Sequence, residues 1–149
     1  GMGGTNFVKI EQARNPSPLG NILANWGIST VCSLVEVQQT ALKSNSKTKI
    51  FASGGVRNGL DCIKLLALGA DMVGIAKPLL EAVVSKQGYE NSISWVNRLL
   101  EQMKACMLLV GAKSIDELQA VPLVISGETR NWLDLRGYNL TVYAKRDQC

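Results

Sequence analysis

A pair of glycines, Gly54 and Gly55, follows the short apolar run at residues 50–53 and precedes Val56 and Arg57. Glycine adopts backbone torsions that other residues avoid, and without a side chain it lets an anion approach the main chain closely. Free N–H groups at the start of a following helix would point at that anion, helped by the positive end of the helix dipole. The pattern predicts a phosphate site, although a tight turn alone would also explain two glycines.

A second cluster of small residues follows the next apolar run, where residues 74–77 read Gly-Ile-Ala-Lys. Ligands of α/β proteins bind beyond the carboxyl ends of parallel strands, and in TIM barrels two neighbouring strand ends often share one phosphate. The chain has neither the Walker loop nor the G-x-G-x-x-G dinucleotide fingerprint. Two adjacent clusters favour phosphate binding over the alternative, in which Gly54 and Gly55 form only a turn and Gly74 is only a packing glycine.

Hydrophobic periodicity predicts the elements that hold these two clusters. Residues 50–53 are predicted to be a strand that is apolar on both faces and buried between layers, and residues 72–76 a second strand. Between them a helix carries an apolar stripe and ends at Gly69, where a left-handed cap belongs; the stripe consists of Leu60, Ile63, Leu66 and Ala67. Strand, helix and strand form a βαβ unit with parallel strands.

The flanking segments are predicted to be mainly helical. Residues 5–27 are irregular, with a Pro, Gly and Asn-rich loop at 15–21, and Ser29 or Thr30 caps the next helix. After Pro78 the longest helix is expected to run from a cap at Asn91 or Ser92 to about Val110, with its apolar face in the core. A capping box at 114–117 opens a short helix, residues 129–136 form another, and 138–149 are a polar tail.

Composition excludes several classes of function. The chain of 149 residues has no histidine, which rules out Ser-His and Cys-His mechanisms within it. Its four cysteines form no C-x-x-C pair, so we expect reduced thiols rather than a metal site. No apolar run approaches the length of about 20 residues that spans a bilayer, and no secretory signal is recognised. The net charge of +4 is scattered, so we expect a cytoplasmic protein that binds neither membrane nor nucleic acid.

A longer string contains both glycine clusters: residues 52–80 read ASGGVRNGLDCIKLLALGADMVGIAKPLL. Other segments accompany it in order, namely GGTNF at 3–7, WGIST at 26–30, LLVGA at 108–112, and Trp132 with Arg136. Together they resemble the C-terminal part of type 2 isopentenyl-diphosphate delta-isomerase, a flavin-dependent enzyme on a TIM barrel. S-G-G-x-R alone is common to many FMN barrels, whereas its combination with G-G-T and W-G-I is specific.

The resemblance implies an activity and a set of cofactor contacts. That family interconverts isopentenyl and dimethylallyl diphosphates with reduced FMN, NADPH as a reductant, and Mg²⁺ on the diphosphate. By motif, Thr5 corresponds to an FMN-contacting threonine. The phosphate-side FMN contacts correspond to Gly54, Gly55, Val56, Arg57, Ala76 and Lys77. In that family the flavin itself carries the proton transfers, and the glutamine and glutamate that handle substrate and Mg²⁺ have no counterparts here. The resemblance therefore implies no catalytic residue and no metal ligand in this chain.

The resemblance also implies that residues 1–149 are one C-terminal fragment, with α/β structure, of a TIM-barrel domain. Such a barrel needs about 250 residues and eight strands, whereas only two barrel strands are recognised here. Contacts to the flavin ring, substrate and Mg²⁺ are expected upstream, so we expect the isolated chain to be inactive.

Two parallel strands cannot close a barrel, so their open edge and bare apolar face predict a homo-oligomer or association with the missing N-terminal part. Two alternative functions stay open, a part of another FMN-dependent barrel oxidoreductase and a non-catalytic phosphate-binding or assembly module.

Overall fold

The computed structural model describes residues 3–146, in which helices surround a pair of short parallel strands. In chain order the elements are α1 (Phe7–Arg14), α2 (Pro18–Leu23), α3 (Thr30–Lys43), β1 (Phe51–Ser53), α4 (Gly59–Ala67), β2 (Met72–Gly74), α5 (Lys77–Val83), α6 (Gly88–Leu109), α7 (Ile115–Ala120), α8 (Gly127–Leu135) and α9 (Thr141–Ala144).

The predicted βαβ unit is confirmed. Strands β1 and β2 are parallel, with Phe51 opposite Met72 and Ser53 opposite Gly74. Helix α4 connects them and ends where Gly69 takes a positive φ of 105°, as its sequence position predicts. Since both strands run in the same direction, Gly54 and Gly55 follow β1 at the same edge at which Ile75 and Ala76 follow β2.

Only one face of the strand pair is covered within the described residues. Strand β1 is therefore not buried between two layers as its sequence predicted, and the pair presents the bare apolar face expected of a barrel fragment. Ala52 is buried against the helices, but Phe51 on the opposite face is 67% exposed and its partner Met72 is 56% exposed. Alternate residues of a strand point to opposite faces, and the helices of this chain pack on one of them. The other face presents apolar side chains to solvent.

Helices replace the loop that was predicted at residues 5–27. The Asn6 side chain accepts a hydrogen bond from the Lys9 N–H and so caps α1, while the Ser17 hydroxyl caps α2, which begins at Pro18. Neither helix contains a buried residue. The Pro, Gly and Asn content therefore marked a helix start here rather than an extended loop.

The helices after α2 confirm some predicted bounds and correct others. Ser29 caps α3 through the Cys32 N–H, as predicted. Helix α5, which includes Pro78 in its first turn, was missed. Helix α6 begins at Gly88 rather than at Asn91 or Ser92, and none of its residues is fully buried. Leu99, Met103 and Met107 pack against the core, whereas Ile93 is 48% exposed.

The C-terminal segment contributes to the core, which corrects the prediction of a polar tail from residue 138. Tyr143 on α9 is 2% exposed, and its carbonyl accepts a hydrogen bond from the Leu123 N–H. Leu133 on α8 is fully buried in the same cluster. The rest of that predicted tail, residues 147–149, lies outside the described residues. Among the residues that are described, no helix is long and apolar enough to cross a membrane.

Candidate functional site

A cavity of about 400 Å³ lies beyond the carboxyl ends of β1 and β2. The structure brings together around it every residue predicted for the phosphate side of a cofactor site, and it adds several that were not predicted. The lining residues are Gly3, Gly4, Thr5, Ser53, Gly54, Gly55, Val56, Arg57, Gly74, Ala76, Lys77, Pro78 and Glu81.

The glycine pair after β1 has the backbone conformation that the sequence predicted. Gly54 has a φ of +117° and Gly55 a φ of +82°, values that side chains with a Cβ rarely adopt. A Cβ at Gly55 would collide with the carbonyl oxygen of Gly3. Glycine is therefore required here both by torsion and by the close passage of another segment of backbone.

That second segment, residues 3–5, brings Thr5 to the cavity. A Cβ on Gly4 would lie 2.9 Å from the Cα of Gly54, so the two backbones are in direct contact. The Thr30 hydroxyl at the start of α3 donates a hydrogen bond of 3.0 Å to the Gly54 carbonyl. Gly3, Gly4 and Thr30 were part of recognised motifs, but their sequence separation from Gly54 gave no sign of this contact.

Some N–H groups near the cavity are occupied by hydrogen bonds within the protein, and others are not. The Arg57 N–H donates to Asp61 Oδ2 at 3.0 Å, the Gly59 N–H to Gln102 Oε1 at 2.8 Å, and the Asp61 N–H to Asn58 Oδ1 at 2.9 Å. The N–H groups of Gly59 and Asp61 at the start of α4 are thus occupied within the protein, so these two do not face an anion as the sequence predicted.

The preceding loop is different from the helix start. No hydrogen bond within residues 3–146 occupies the N–H groups of Gly55 or Val56. An amide that the fold leaves without a partner is satisfied by solvent or by a bound ligand. The N–H groups of Gly55 and Val56, two residues that line the cavity, are therefore available to an anion there.

Two cations lie at the rim of the cavity. Arg57 is exposed, and its Nη1 lies 3.4 Å from the Gly55 carbonyl oxygen. Lys77 Nζ lies 3.6 Å from Glu81 Oε1, with both side chains exposed. Glu81 was missed because α5, which places it one turn after Lys77, was not recognised in the sequence. The arrangement of unpaired amides, two cations and close backbone approach fits a phosphate group.

Comparison with known proteins identifies the family. The family described as FMN-dependent dehydrogenase matches residues 24–124. The chain belongs to the FMN-dependent dehydrogenase family. Its glycine pair, Arg57, Ala76 and Lys77 all lie within the matched region.

Individual proteins that are similar to this chain carry a more specific name than the family does. Proteins named isopentenyl-diphosphate delta-isomerase are 44% identical over 146 residues in Geobacillus sp. and 41% identical over 149 residues in Sulfurisphaera tokodaii. These matches cover 98% and 96% of this chain but only 40% and 39% of the relatives. The chain therefore spans about two fifths of the length of the curated relatives it matches.

Solved structures share the fold. A double variant of flavocytochrome b2 with sulfite bound matches 91% of this chain and 39% of its own, with a TM-score of 0.58 and 24% identity. A single variant with benzoylformate matches the same shares of each chain, with a TM-score of 0.54 and 25% identity. This FMN-dependent dehydrogenase-family chain thus has the fold of a part of those larger flavoproteins.

Proposed function

We propose that the chain is the C-terminal, FMN-phosphate-binding part of a type 2 isopentenyl-diphosphate delta-isomerase, built on the last strands and helices of a TIM barrel. The observation that carries the proposal is the match of nearly the whole chain to isomerases at 44% identity. The cavity beyond β1 and β2 supports it, because the residues that motif comparison assigns to FMN line one space.

The residues present fit the phosphate of FMN. In this proposal the N–H groups of Gly55 and Val56 donate to phosphate oxygens, and Arg57 and Lys77 supply positive charge at the rim. Gly54, Ala76 and Thr5 shape the walls, where a larger side chain after β1 would meet the backbone of residues 3–4. Such amide-lined concavities bind anions through several aligned dipoles.

The chain's own part in the reaction is binding and orientation. FMN, when bound, would supply the proton transfers of the isomerisation. This chain would fix the phosphate end of that cofactor. The flavin ring, the diphosphate substrate, NADPH and Mg²⁺ would meet residues of the remaining part of the enzyme, and we propose that the chain by itself does not catalyse the reaction.

A chimera tests the function directly. The matched segment of the Geobacillus relative is replaced by this chain, and conversion of isopentenyl to dimethylallyl diphosphate is measured with reduced FMN and Mg²⁺. We expect turnover together with bound flavin, and we expect Arg57→Ala in the chimera to lower flavin occupancy because it removes a cation at the phosphate. A chimera that binds flavin but forms no dimethylallyl product would contradict the isomerase assignment.

A second candidate is a part of an FMN-dependent oxidoreductase of the hydroxy-acid-oxidising kind. It is favoured by the family match over residues 24–124 and by the fold shared with flavocytochrome b2. The same chimera distinguishes the two, since flavin reduction by a 2-hydroxy acid without isomerisation would support the oxidoreductase. Binding of inorganic phosphate without any affinity for FMN would instead support a non-catalytic phosphate-binding module.

The exposed strand face supports a proposal about association. Phe51 and Met72 lie opposite each other on this face and are both more than half exposed. We propose that the remaining part of the isomerase, which functions in the cytoplasm, covers this face, and that a second copy covers it in the isolated chain. Phe51→Ser with Met72→Ser should then shift the isolated chain towards monomer in light scattering, and an unchanged mass would argue against this interface.

A further inference from the structure

The loop that carries the free amides is tied to α4 by a single carboxylate. Asp61 Oδ2 accepts a hydrogen bond of 3.0 Å from the N–H of Arg57, four residues earlier. Asp61 itself is held in place, because its own N–H donates to Asn58 Oδ1 at 2.9 Å. The carboxylate thus reaches back from the first turn of the helix to the last residue of the loop.

This bond occupies the Arg57 N–H, which is therefore not a donor to an anion in the cavity. The N–H groups of Gly55 and Val56, which also belong to the cavity lining, have no partner in the described residues. Val56 is 5% exposed and anchors the loop in the core. The loop is therefore pinned at Val56 by packing and at Arg57 by Asp61.

The negative charge of Asp61 opposes phosphate binding, whereas its hydrogen bond to the Arg57 N–H favours it. A carboxylate next to an anion site repels the anion, so charge alone would make Asp61 unfavourable for phosphate binding. A carboxylate that fixes the geometry of the donors lowers the entropy lost when the anion binds. These two contributions can be separated, because asparagine keeps an acceptor oxygen and removes the charge whereas alanine removes both.

We propose that Asp61 is a positioning residue for the phosphate site: by holding the Arg57 N–H it orients the loop at residues 54–57 so that the Gly55 and Val56 amides converge on the anion. This inference rests on the proposed function, since it assigns a role within the same site.

The test uses the full chain, isotope-labelled, titrated with inorganic phosphate and separately with FMN while amide NMR shifts are followed. In the unchanged chain we expect the Gly55 and Val56 amides to move on titration. Asp61→Ala should weaken binding about two- to tenfold, the range for one lost hydrogen bond, in spite of the removed negative charge. Asp61→Asn should bind as well as the unchanged chain or better.

Glu117→Ala provides a matched control. Glu117 Oε2 accepts a hydrogen bond of 2.7 Å from the Lys113 N–H, also four residues earlier, at the start of α7. The variant loses the same charge and the same kind of bond, and Glu117 does not line the cavity. We expect it to leave phosphate and FMN binding unchanged.

The outcomes separate the inference from the proposed function. If Asp61→Ala binds as tightly as Asp61→Asn, Asp61 acts through its charge alone and the positioning role is overturned. If Asp61→Ala does not fold, Asp61→Asn decides alone: a changed Arg57 amide shift, which reports loss of the bond, with unchanged affinity for phosphate would equally overturn the positioning role. If the unchanged chain shows no shift at Gly55 or Val56 with either ligand, the phosphate site itself is wrong and the inference fails with it.

Discussion

Arg136 on α8 and Glu36 on α3 form a two-point ion pair, with Nε 2.7 Å from Oε1 and Nη2 3.2 Å from Oε2. The Trp132 indole N–H donates to the same carboxylate at 2.8 Å. The paired carboxylate raises the pKa of the Arg136 guanidinium. Trp132 and Arg136, which the sequence placed among the family-like motifs, therefore join two helices and do not line the cavity.

The Trp132 bond to Glu36 should contribute measurably to stability. Trp132→Phe keeps an aromatic ring but removes the N–H, and we expect it to lower the free energy of unfolding by about 1 kcal/mol. Arg136→Lys should also destabilise, because lysine cannot make the two-point contact. Urea unfolding measures both changes.

Arg130→Lys is the control for these variants. Arg130 pairs with Asp134 on the exposed surface of the same helix at 3.0 Å. Exposed pairs of this kind contribute little, so the unfolding midpoint should hardly move. An effect of Arg130→Lys as large as that of Arg136→Lys would show that the link to Glu36 has no special role.

Gly55→Ala should disrupt the cavity as well as the turn. The substitution places a side chain at a φ of +82° and drives its Cβ into the Gly3 carbonyl, which displaces residues 3–5 and with them Thr5. We expect a loss of stability of about 1 to 2 kcal/mol from the torsion and a loss of the FMN-dependent amide shifts at Val56.

Gly137→Ala separates these two effects. Gly137 has a similar φ of +78°, but a Cβ there meets nothing within 4 Å. The control should therefore be destabilised by torsion alone and keep the amide shifts. Equal binding by the two variants would count against the contact between residues 3–4 and the glycine pair.

At Gly59, α4 packs directly against the backbone of α6. A Cβ at this residue would lie 2.7 Å from the Met103 amide nitrogen and 2.8 Å from the Leu99 carbonyl oxygen, both of them backbone atoms. Alanine normally stabilises a helix by about 1 kcal/mol relative to glycine, but here we expect Gly59→Ala to destabilise by about 1 to 3 kcal/mol through overpacking. Thermal unfolding followed by circular dichroism measures the change.

Gly20→Ala in α2 is the comparison for Gly59→Ala. The three atoms nearest to an added Cβ all belong to the side chain of Gln12, whose flexible end can move at the expense of one hydrogen bond that its Oε1 accepts from the Ser17 N–H. We expect a much smaller change in the unfolding temperature. If both substitutions lowered the unfolding temperature equally, the contact between α4 and α6 at Gly59 would not explain the loss of stability.

Tyr143 should make stability fall at alkaline pH. Its hydroxyl donates to Gln38 Oε1 at 3.1 Å, and burial raises the pKa of the phenol above its ordinary value of 10.0. The unfolded chain therefore loses this proton first, so the stabilising contribution is complete below pH 10.0 and is lost as pH rises through the folded-state pKa. Unfolding free energies from about pH 8 to about pH 11 should decline less steeply for Tyr143→Phe.

Tyr89→Phe is the control for this titration, because Tyr89 is 76% exposed on α6. That variant keeps the buried phenol and should retain the alkaline slope of the unchanged chain. If the unfolding free energy of Tyr143→Phe fell equally steeply with pH, the buried phenol would not be the cause of the loss of stability at alkaline pH.

Local sequence patterns predicted the βαβ unit at the centre of the fold but did not predict several of the short helices around it. The glycines after β1 and after α4 have torsions that only their residue type favours, so their positions could be read from the sequence. The short helices α1, α2, α5 and α9 were missed, because segments of four to eight residues carry too few turns for a periodic pattern. Tyr143 looked like part of a polar tail because its burial depends on partners such as Gln38, far away in the chain.

The sequence by itself determined the βαβ unit, the cavity residues after both strands and the family resemblance, since each of these depends on residue types within a short span. Only the tertiary structure decided that residues 3–5 pass against Gly54 and Gly55, that Gln102 on α6 accepts the Gly59 N–H, and that Asp61 holds the Arg57 N–H. The first two are contacts between segments far apart in the chain, and the third depends on the conformation of the loop before α4; residue types along the chain do not specify either.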